Sequence, residues 1–513
     1  MAESTPERSF GQYVTENIAR QGHKPAYVFS GFILAWCLFF LFWTVLPPFP
    51  GLSHEGMTVL GIVLWASIMW VSSAMPVGIT GISIPTLLLI SHALPWQNGK
   101  PPMAVIFAGF TNHVIWLCLF AFLVGAVMQI IKLDRRIALG ILTWFQASSV
   151  GRIIWGMFFV NIVLGFLVPA ANARAATLLP VVQGICNLMG ETQEERAAKK
   201  AIVIQSLVYG SMICGMFIMT AHLPNMILVG IFEKSGFSNL NYLNWALLQV
   251  PYLGMFALTQ LWVRYHFKTA RVHIAGGQQA IQEKYEALGS MSLAEKVLLG
   301  IFILAGVLFM TGKGSFIIEL HRQPLGVIGL LGMLILFAPG LLPCSWKAIQ
   351  EKTIWGTFLL LGGAMTMTTA MAQSGLAQWL ADIIHSFVTG MTWWQAVLTC
   401  MVGTHIIRLG MLSNVAAVAM LAPVAFAMAP KLGLHPVAFT MLVCDTDTFA
   451  YILPTQITAA VIASGTDTFS PGDYARVGWV SVCIAIAYGI CVMAPWYALW
   501  GLPVWDPAAP WPF

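Results

Sequence analysis

The chain has 513 residues, 58% of them hydrophobic and only 9% charged, with a mean hydropathy of +0.80. Soluble globular domains carry about 25% charged residues, so this composition excludes a water-soluble fold. The formal net charge of +5 comes from loop lysines and arginines and implies no nucleic-acid partner.

Apolar runs of about 20 residues recur along the chain, as crossing helices require. The ~10-residue alternation of a transmembrane β-barrel is absent. The expected fold class is therefore an all-α polytopic membrane protein, with about eleven transmembrane helices and two re-entrant hairpins. A polar segment, 1–28, carries Arg8, Arg20 and Lys24 and has no small-residue cleavage site after a short apolar region. The first apolar run, Phe29 to Leu46, is accordingly expected to be a retained span. First-half spans are predicted at 29–48, 53–75, 78–94, 105–131, 198–231 and 241–265, with a hairpin at about 153–188 before the fifth. A polar connector, 266–295, has helix-forming residues and no functional motif. Second-half spans follow at 296–312, 325–342, 353–374, 436–466 and 474–500, with a hairpin at about 392–430. The organisation is thus an N-terminal segment, a first half over 29–265, the connector, and a second half with a tail over 296–513.

Placing the N-terminus in the cytoplasm puts eighteen lysines and arginines inside against five outside. That bias favours a cytoplasmic N-terminus in an inner membrane. Arg174 and Arg408 belong to neither loop set, because both fall within apolar stretches. Arginine at membrane depth is costly and normally faces a protein cavity on a substrate or ion pathway. The nine cysteines stand singly with no C-x-x-C spacing, so neither a metal nor a redox role is indicated. Neither H-E-x-x-H nor G-x-S-x-G occurs, and Gly312-Lys313-Gly314 lacks the spacing of a phosphate loop. No enzyme is expected.

The two halves echo each other. Ile115-Trp116 and Ile354-Trp355 each open a glycine-containing span, and a hairpin candidate follows each. A gapless alignment on Pro180-Val181 and Pro423-Val424 sets Ala170-Ala171-Asn172 opposite Ser413-Asn414-Val415. The next span in each half is also interrupted, at Thr220-Ala221-His222-Leu223-Pro224-Asn225 and at Leu453-Pro454-Thr455-Gln456-Ile457-Thr458. Five elements per half, an odd number, give opposite membrane orientations, so the repeats are inverted. Interruptions in corresponding positions of two halves point to a transporter binding site near mid-membrane. Helix N-termini at such breaks attract carboxylates, and free carbonyls suit small cations. An anion site flanked by cation sites follows. Arg174 can grip a carboxylate through two parallel hydrogen bonds; Arg408 is read either as a second anion contact or as the partner of a buried carboxylate. Asp445 and Asp447, two apart on a predicted helix, point to different faces. One could pair with Arg408 while the other takes a proton or cation, or both could lie in water at a helix entry. His222 and His405 each sit beside a break and are more readily explained as hydrogen-bonded structural groups.

With these residues in view, the chain resembles the divalent anion/sodium symporter family of the ion-transporter superfamily, from the second span to the last. Ser413-Asn414 matches a Ser-Asn-Thr hairpin motif, with Val415 in place of Thr. Pro169-Ala170-Ala171-Asn172-Ala173-Arg174 resembles the Pro-Ser-Asn-Thr-Ala-Arg pattern of the dicarboxylate and tricarboxylate exchanger branch. Thr220-Ala221-His222-Leu223-Pro224-Asn225 resembles that branch's Thr-Ala-x-x-Pro-Asn turn, whereas Leu453-Pro454-Thr455-Gln456 lacks the family's Pro-Pro-Asn. The resemblance implies an elevator-type homodimer in lipid, carrying a small organic dianion by alternating access. Asn172, Arg174, Thr220, Pro224, Asn225, Arg408, Ser413, Asn414, Thr455 and Thr458 are the implied substrate contacts. Asn172, Asn414, Asp445 and Asp447 are the coupling-ion candidates, with sodium at the hairpin tips the only cofactor implied. The lost hydroxyls remove side-chain oxygens from both sodium sites and turn the expectation toward exchange or proton coupling. The alternative within the superfamily is an arsenite-type permease or sodium/proton antiporter centred on Asp445 and Asp447. An anion channel is the alternative from another class.

Overall fold

The computed structural model describes residues 10–20, 24–96, 98–146, 148–168, 170–269, 272, 274, 276–315, 317–411 and 413–513. Arg8 and Pro169, both noted above, lie outside the described residues. The regular elements are helices. The first half comprises α1 (Phe10–Arg20), α2 (Pro25–Phe40), α3 (His54–Ser72), α4 (Val77–Ile90), α5 (Met103–Ile106), α6 (His113–Ile131) and α7 (Leu133–Trp144). It continues with the hairpin arms α8 (Val150–Leu167) and α9 (Ala171–Cys186), then α10 (Gln193–Val203), α11 (Gly210–Phe217), α12 (Leu223–Lys234), α13 (Tyr242–Gln249) and α14 (Tyr252–His266). The connector holds α15 (Gly277–Glu286). The second half runs through α16 (Leu293–Met310), α17 (Leu325–Leu336), α18 (Trp346–Lys352), α19 (Trp355–Gln373) and α20 (Leu376–Val388) to the hairpin arms α21 (Trp393–Arg408) and α22 (Asn414–Met428). It closes with α23 (Pro436–Asp447), α24 (Thr458–Ser464), α25 (Pro471–Tyr488) and α26 (Ala494–Leu499).

Helices fall in each of the eleven stretches predicted to cross. By length and apolarity alone, nine helices among the described residues could span a membrane, or ten with the α18–α19 pair, which bends by 59°. The difference from eleven has a physical cause. α4 and α17 have only 14 and 12 residues, and the span containing α23 and α24 is interrupted at its middle. Two of the nine, conversely, are the hairpin arms α8 and α22. Length cannot separate an arm from a crossing, because both are predominantly apolar. The helix starts are ordinary: Thr192 with Glu195, Ser292 with Glu295, and Ser470 with Asp473 form capping boxes that satisfy the first free N–H groups.

The two halves interlock through α4 and α19. Lipid supplies no hydrophobic drive between helices, so close backbone approach must hold them. Here glycine makes that approach. A Cβ on Gly363 would lie 2.1 Å from the Gly81 carbonyl oxygen, and one on Gly81 would lie 2.7 Å from that of Leu359. Gly109 comes equally close to Gly362, and its N–H donates to Thr366 Oγ1 at 3.0 Å. Gly356, one helical stretch away on α19, has open space where a Cβ would go. Gly363→Ala should therefore destabilise by about 1–3 kcal/mol, the usual penalty of overpacking, while Gly356→Ala stays within about 0.5 kcal/mol. Heating the purified variants and following the monodisperse fraction distinguishes the two.

Candidate functional site

The hairpin tips and the broken spans adopt the same backbone twice. At the first tip Ala170 is extended (φ −124°, ψ 128°) and α9 starts after it; at the second, Ser413 is extended (φ −122°, ψ 119°) and α22 starts after it. Each following span breaks as extended residue, single 3₁₀ turn, extended residue, helix. The first break is Ile218, Met219–Ala221, His222 and α12; the second is Leu453, Pro454–Gln456, Ile457 and α24. Prolines enforce the pattern. Leu453 precedes Pro454 and is extended, as the residue before proline prefers. Pro224 falls in the first turn of α12, where no N–H is missed.

These four breaks converge on one cavity of about 330 Å³. Its walls include Ala170–Asn172, His222–Pro224, Ser413–Val415 and Ile457–Ala459, the N-terminal ends of α9, α12, α22 and the short α24. A helix N-terminus carries about half a positive charge, and several aimed at one point make an anion site. Among the described residues, no Asp, Glu, Lys or Arg lines the cavity. The remaining wall comes from Trp70, Ser73 and Val77 around the α3–α4 turn, from Met212 on α11 and from Thr357 and Leu360 on α19.

Broken helices leave carbonyls that lipid cannot satisfy. Two arginines satisfy them. Arg174 is fully buried; its Nη1 donates to Val168 O and Ala221 O, both at 2.8 Å, and its Nη2 to Ser211 O at 2.6 Å. Arg408, equally buried, donates through Nη1 to Met411 O at 3.1 Å and through Nη2 to Gln456 O at 2.8 Å and to Asn414 Oδ1. Val168 and Met411 stand two residues before their tips' extended residue, and Ala221 and Gln456 each end a 3₁₀ turn. The two guanidinia thus clasp equivalent carbonyls, one from the arm after its tip and one from the arm before. Gln456 closes the second clasp, donating to Arg408 O at 3.0 Å and accepting from Leu453 N at 2.6 Å. Asn225 closes the first, donating to Gly215 O at 2.9 Å.

Of the ten predicted substrate contacts, the structure brings Asn172, Pro224, Ser413, Asn414 and Thr458 to the cavity. The other five are placed elsewhere. Arg174 and Arg408 spend their guanidinia on carbonyls behind the wall, because the free backbone groups are nearer than the lumen. Thr220 is buried and shares a hydrogen bond with the Tyr242 hydroxyl, and Asn225 is fully buried. Thr455 is exposed and is not part of the cavity wall. Neither Asp445 nor Asp447 is exposed; Asp447 Oδ1 lies 3.6 Å from Arg408 Nε. His222 does reach the cavity, its Nε2 lying 3.3 Å from Asn414 Nδ2. His405 is buried with neither ring nitrogen bonded. The wall residues from α3, α4 and α19 were not read from the sequence, since they interrupt no helix.

Breaking a buried ion pair from one side costs about 3–5 kcal/mol, because the other charge is stranded. Arg408→Met should accordingly destabilise more than Asp447→Asn, which leaves Arg408 its three other acceptors. The double variant Arg408→Met with Asp447→Leu should fall short of additivity by at least about 1 kcal/mol in thermal unfolding.

The sequence pattern of the sodium:sulfate symporter transmembrane region matches residues 31–502. The sodium-dependent dicarboxylate transporter SdcS of Staphylococcus saprophyticus is 27% identical over 88% of this chain and 88% of its own. The protein of that name from Staphylococcus aureus strain RF122 is 25% identical over 91% of each, and a membrane protein of Cupriavidus necator is 29% identical over 84% of this chain and 85% of its own. Two solved structures share the fold. The YdaH transporter of Alcanivorax borkumensis has a TM-score of 0.53 at 15% identity, covering 84% of this chain and 99% of its own. MtrF of Neisseria gonorrhoeae has a TM-score of 0.52 at 13% identity, covering 93% and 100%. With its repeated breaks, its cavity of helix N-termini and a family match over nearly its whole length, the chain belongs to the sodium:sulfate symporter family, the divalent anion/sodium symporters, and is a multi-pass membrane transporter rather than an enzyme.

Proposed function

We propose that this protein is a secondary active carrier of small organic dianions, of the C4-dicarboxylate or tricarboxylate class, working by alternating access in an inner membrane. The observation that carries the reading is the convergence of helix N-termini on a cavity that, among the described residues, has no acidic side chain in its wall. At about 330 Å³ the cavity is at the small end of ligand sites, which run to about 1,000 Å³. Arg408 takes the Asn414 Oδ1, leaving the amide Nδ2 as the donor that faces the lumen. Ser413 Oγ accepts from Ala416 N at 3.3 Å and keeps its own hydrogen for a ligand. Asn172 and Thr458 supply further polar groups, and the relatives named as dicarboxylate transporters point to the same cargo.

With a cytoplasmic N-terminus, as the lysine and arginine bias supports, the wall formed by the α3–α4 turn and the start of α19 lies on the cytoplasmic side. Sodium at the tips fits poorly. The carbonyls of Val168, Ala221, Met411 and Gln456 at the tips and breaks already accept from guanidinia, whose positive charge disfavours a second cation beside them. The drive is therefore exchange, or a cation bound away from the tips. Sodium symport is the second reading, favoured by the names of the staphylococcal relatives.

Purified protein in liposomes should take up labelled succinate, with unlabelled dianions competing and monocarboxylates of equal length not competing. Asn414→Ala removes a hydrogen bond to a charged ligand, worth about 1.5–3 kcal/mol, and should raise KM tenfold or more. Preloading with dicarboxylate should accelerate uptake, and an inward sodium gradient should not. Uptake driven by sodium alone would replace this coupling with symport, and wild-type kinetics in Asn414→Ala would overturn the site.

A further inference from the structure

We propose that Asp445 binds a proton and that this proton is the one coupled to transport. The coupling half of the proposal rests on the dianion-carrier reading above, whereas the protonation half does not. Asp445 lies on α23, 1% exposed, outside the cavity wall. Its Oδ2 accepts from Gln249 Nε2 at 2.7 Å and from the Tyr497 hydroxyl at 3.4 Å, and the same hydroxyl reaches Gln249 Oε1 at 3.3 Å. Its Oδ1 is buried with no hydrogen-bond partner. Among the described residues no lysine, arginine or histidine pairs with it.

The contrast with Asp447, two residues on, is the core of the argument. Positions i and i+2 do not share a helix face. Asp447 turns toward Arg408 on α21 and is charge-matched. Asp445 turns toward α13, α14 and α26, and the titratable groups it meets there are Tyr252 and Tyr497, with Cys444 beside it on its own helix. None of these brings a positive charge. A carboxylate stripped of water is stable only if paired, and otherwise holds a proton. The surroundings suit the neutral acid, which needs one acceptor for its O–H. The Tyr252 hydroxyl, buried and close to Thr446, interacts electrostatically with Asp445 and is the acceptor that a small side-chain rotation would supply.

The backbone around the group is irregular on three sides. α13 gives way to α14 at Val250–Pro251, α23 ends at Asp447, and a π-turn at Gly489–Met493 separates α25 from α26. A Cβ on Gly489 would lie 3.3 Å from Thr446 Oγ1, so the π-turn faces this pocket directly. Single π-turns inside α-helices occur often at functional sites.

Infrared spectra of the purified full-length protein at neutral pH test protonation without any substrate. The expected result is a protonated-carboxyl C=O stretch that vanishes in Asp445→Asn, persists in Asp447→Asn, and shifts in frequency in Tyr252→Phe. A band absent from the wild type, or unchanged in Asp445→Asn, overturns the proposal. In liposomes loaded with a pH-sensitive dye, inward succinate flux should acidify the wild-type lumen and fail to do so in Asp445→Asn. Acidification that survives in that variant, or a sodium requirement that Asp445→Asn abolishes, overturns proton coupling. Should succinate not move at all while the infrared band behaves as expected, the substrate reading fails and the proton site stands.

Discussion

Everything at the centre of this protein depends on satisfying the carbonyls exposed where four helical segments stop inside the membrane. Water is not there to do it, and each orphaned carbonyl in lipid costs several kcal/mol. Arg174 and Arg408 solve the problem by donating to the tip and to the following break at once. The solution fixes the distance between two elements that are far apart in sequence. It also lets a permanent charge sit within the membrane, since guanidinium hydrogens are spread over a planar fork that several carbonyls can share. The two clasps reach equivalent carbonyls from non-equivalent positions. What is repeated between the halves is the bonding requirement, and each half meets it with its own residue.

The clasps shape the cavity by facing away from it. With the cations held behind the wall, the lumen presents helix N-termini, amide and hydroxyl donors, and one imidazole. Partial charges at fixed positions can attract a dianion without the desolvated ion pairs that would hold it too long. A carrier must release its cargo on the far side, and binding that is spread over many modest donors serves that need, as in channels where sites must bind yet let go. The glycine seam between α4 and α19 plays the complementary part. It holds the wall of Thr357 and Val77 rigid by backbone contact.

Much of this was legible in the sequence, and the limits are instructive. The register of the two hairpins could be read because Pro180 and Pro423 sit at matching places, and the extended backbone of Ala170 and Ser413 follows that register. The breaks could be read because Pro224 and Pro454 cannot continue a helix. The orientation of side chains could not. Thr455 and Thr458 are one turn apart, yet only Thr458 reaches the cavity. Arg174 was expected to meet a carboxylate because depth in an apolar run says that a charge needs a partner, but not whether the partner is ligand or backbone. Gln456 and Gln249 carried no signal at all, since a buried amide earns its place only through neighbours from distant helices.

Asp445 and Asp447 show the same limit in its sharpest form. As a pair of acids ahead of a break they look alike, and the sequence leaves open whether one pairs with Arg408 while the other takes a proton or cation, or both lie in water. Their two-residue spacing separates them by more than half a helical turn, and the structure fills the two sides with opposite chemistry: a guanidinium on one, an amide and phenols on the other. Asp447 is balanced by the guanidinium 3.6 Å away, a pairing of charges rather than a hydrogen bond, since neither of its oxygens has a hydrogen-bond partner among the described residues. Asp445, which among the described residues has no cation beside it, is the part of the pair whose charge the protein leaves unbalanced, and charge balance inside a membrane is met by a cation or by a proton. The Gln249 amide donates to that carboxyl through its nitrogen, and its own oxygen faces Tyr497 rather than offering a second ligand to a metal. A proton requires only a single acceptor, whereas a sodium ion requires a shell of oxygens, so the few oxygens around this carboxyl favour the smaller guest.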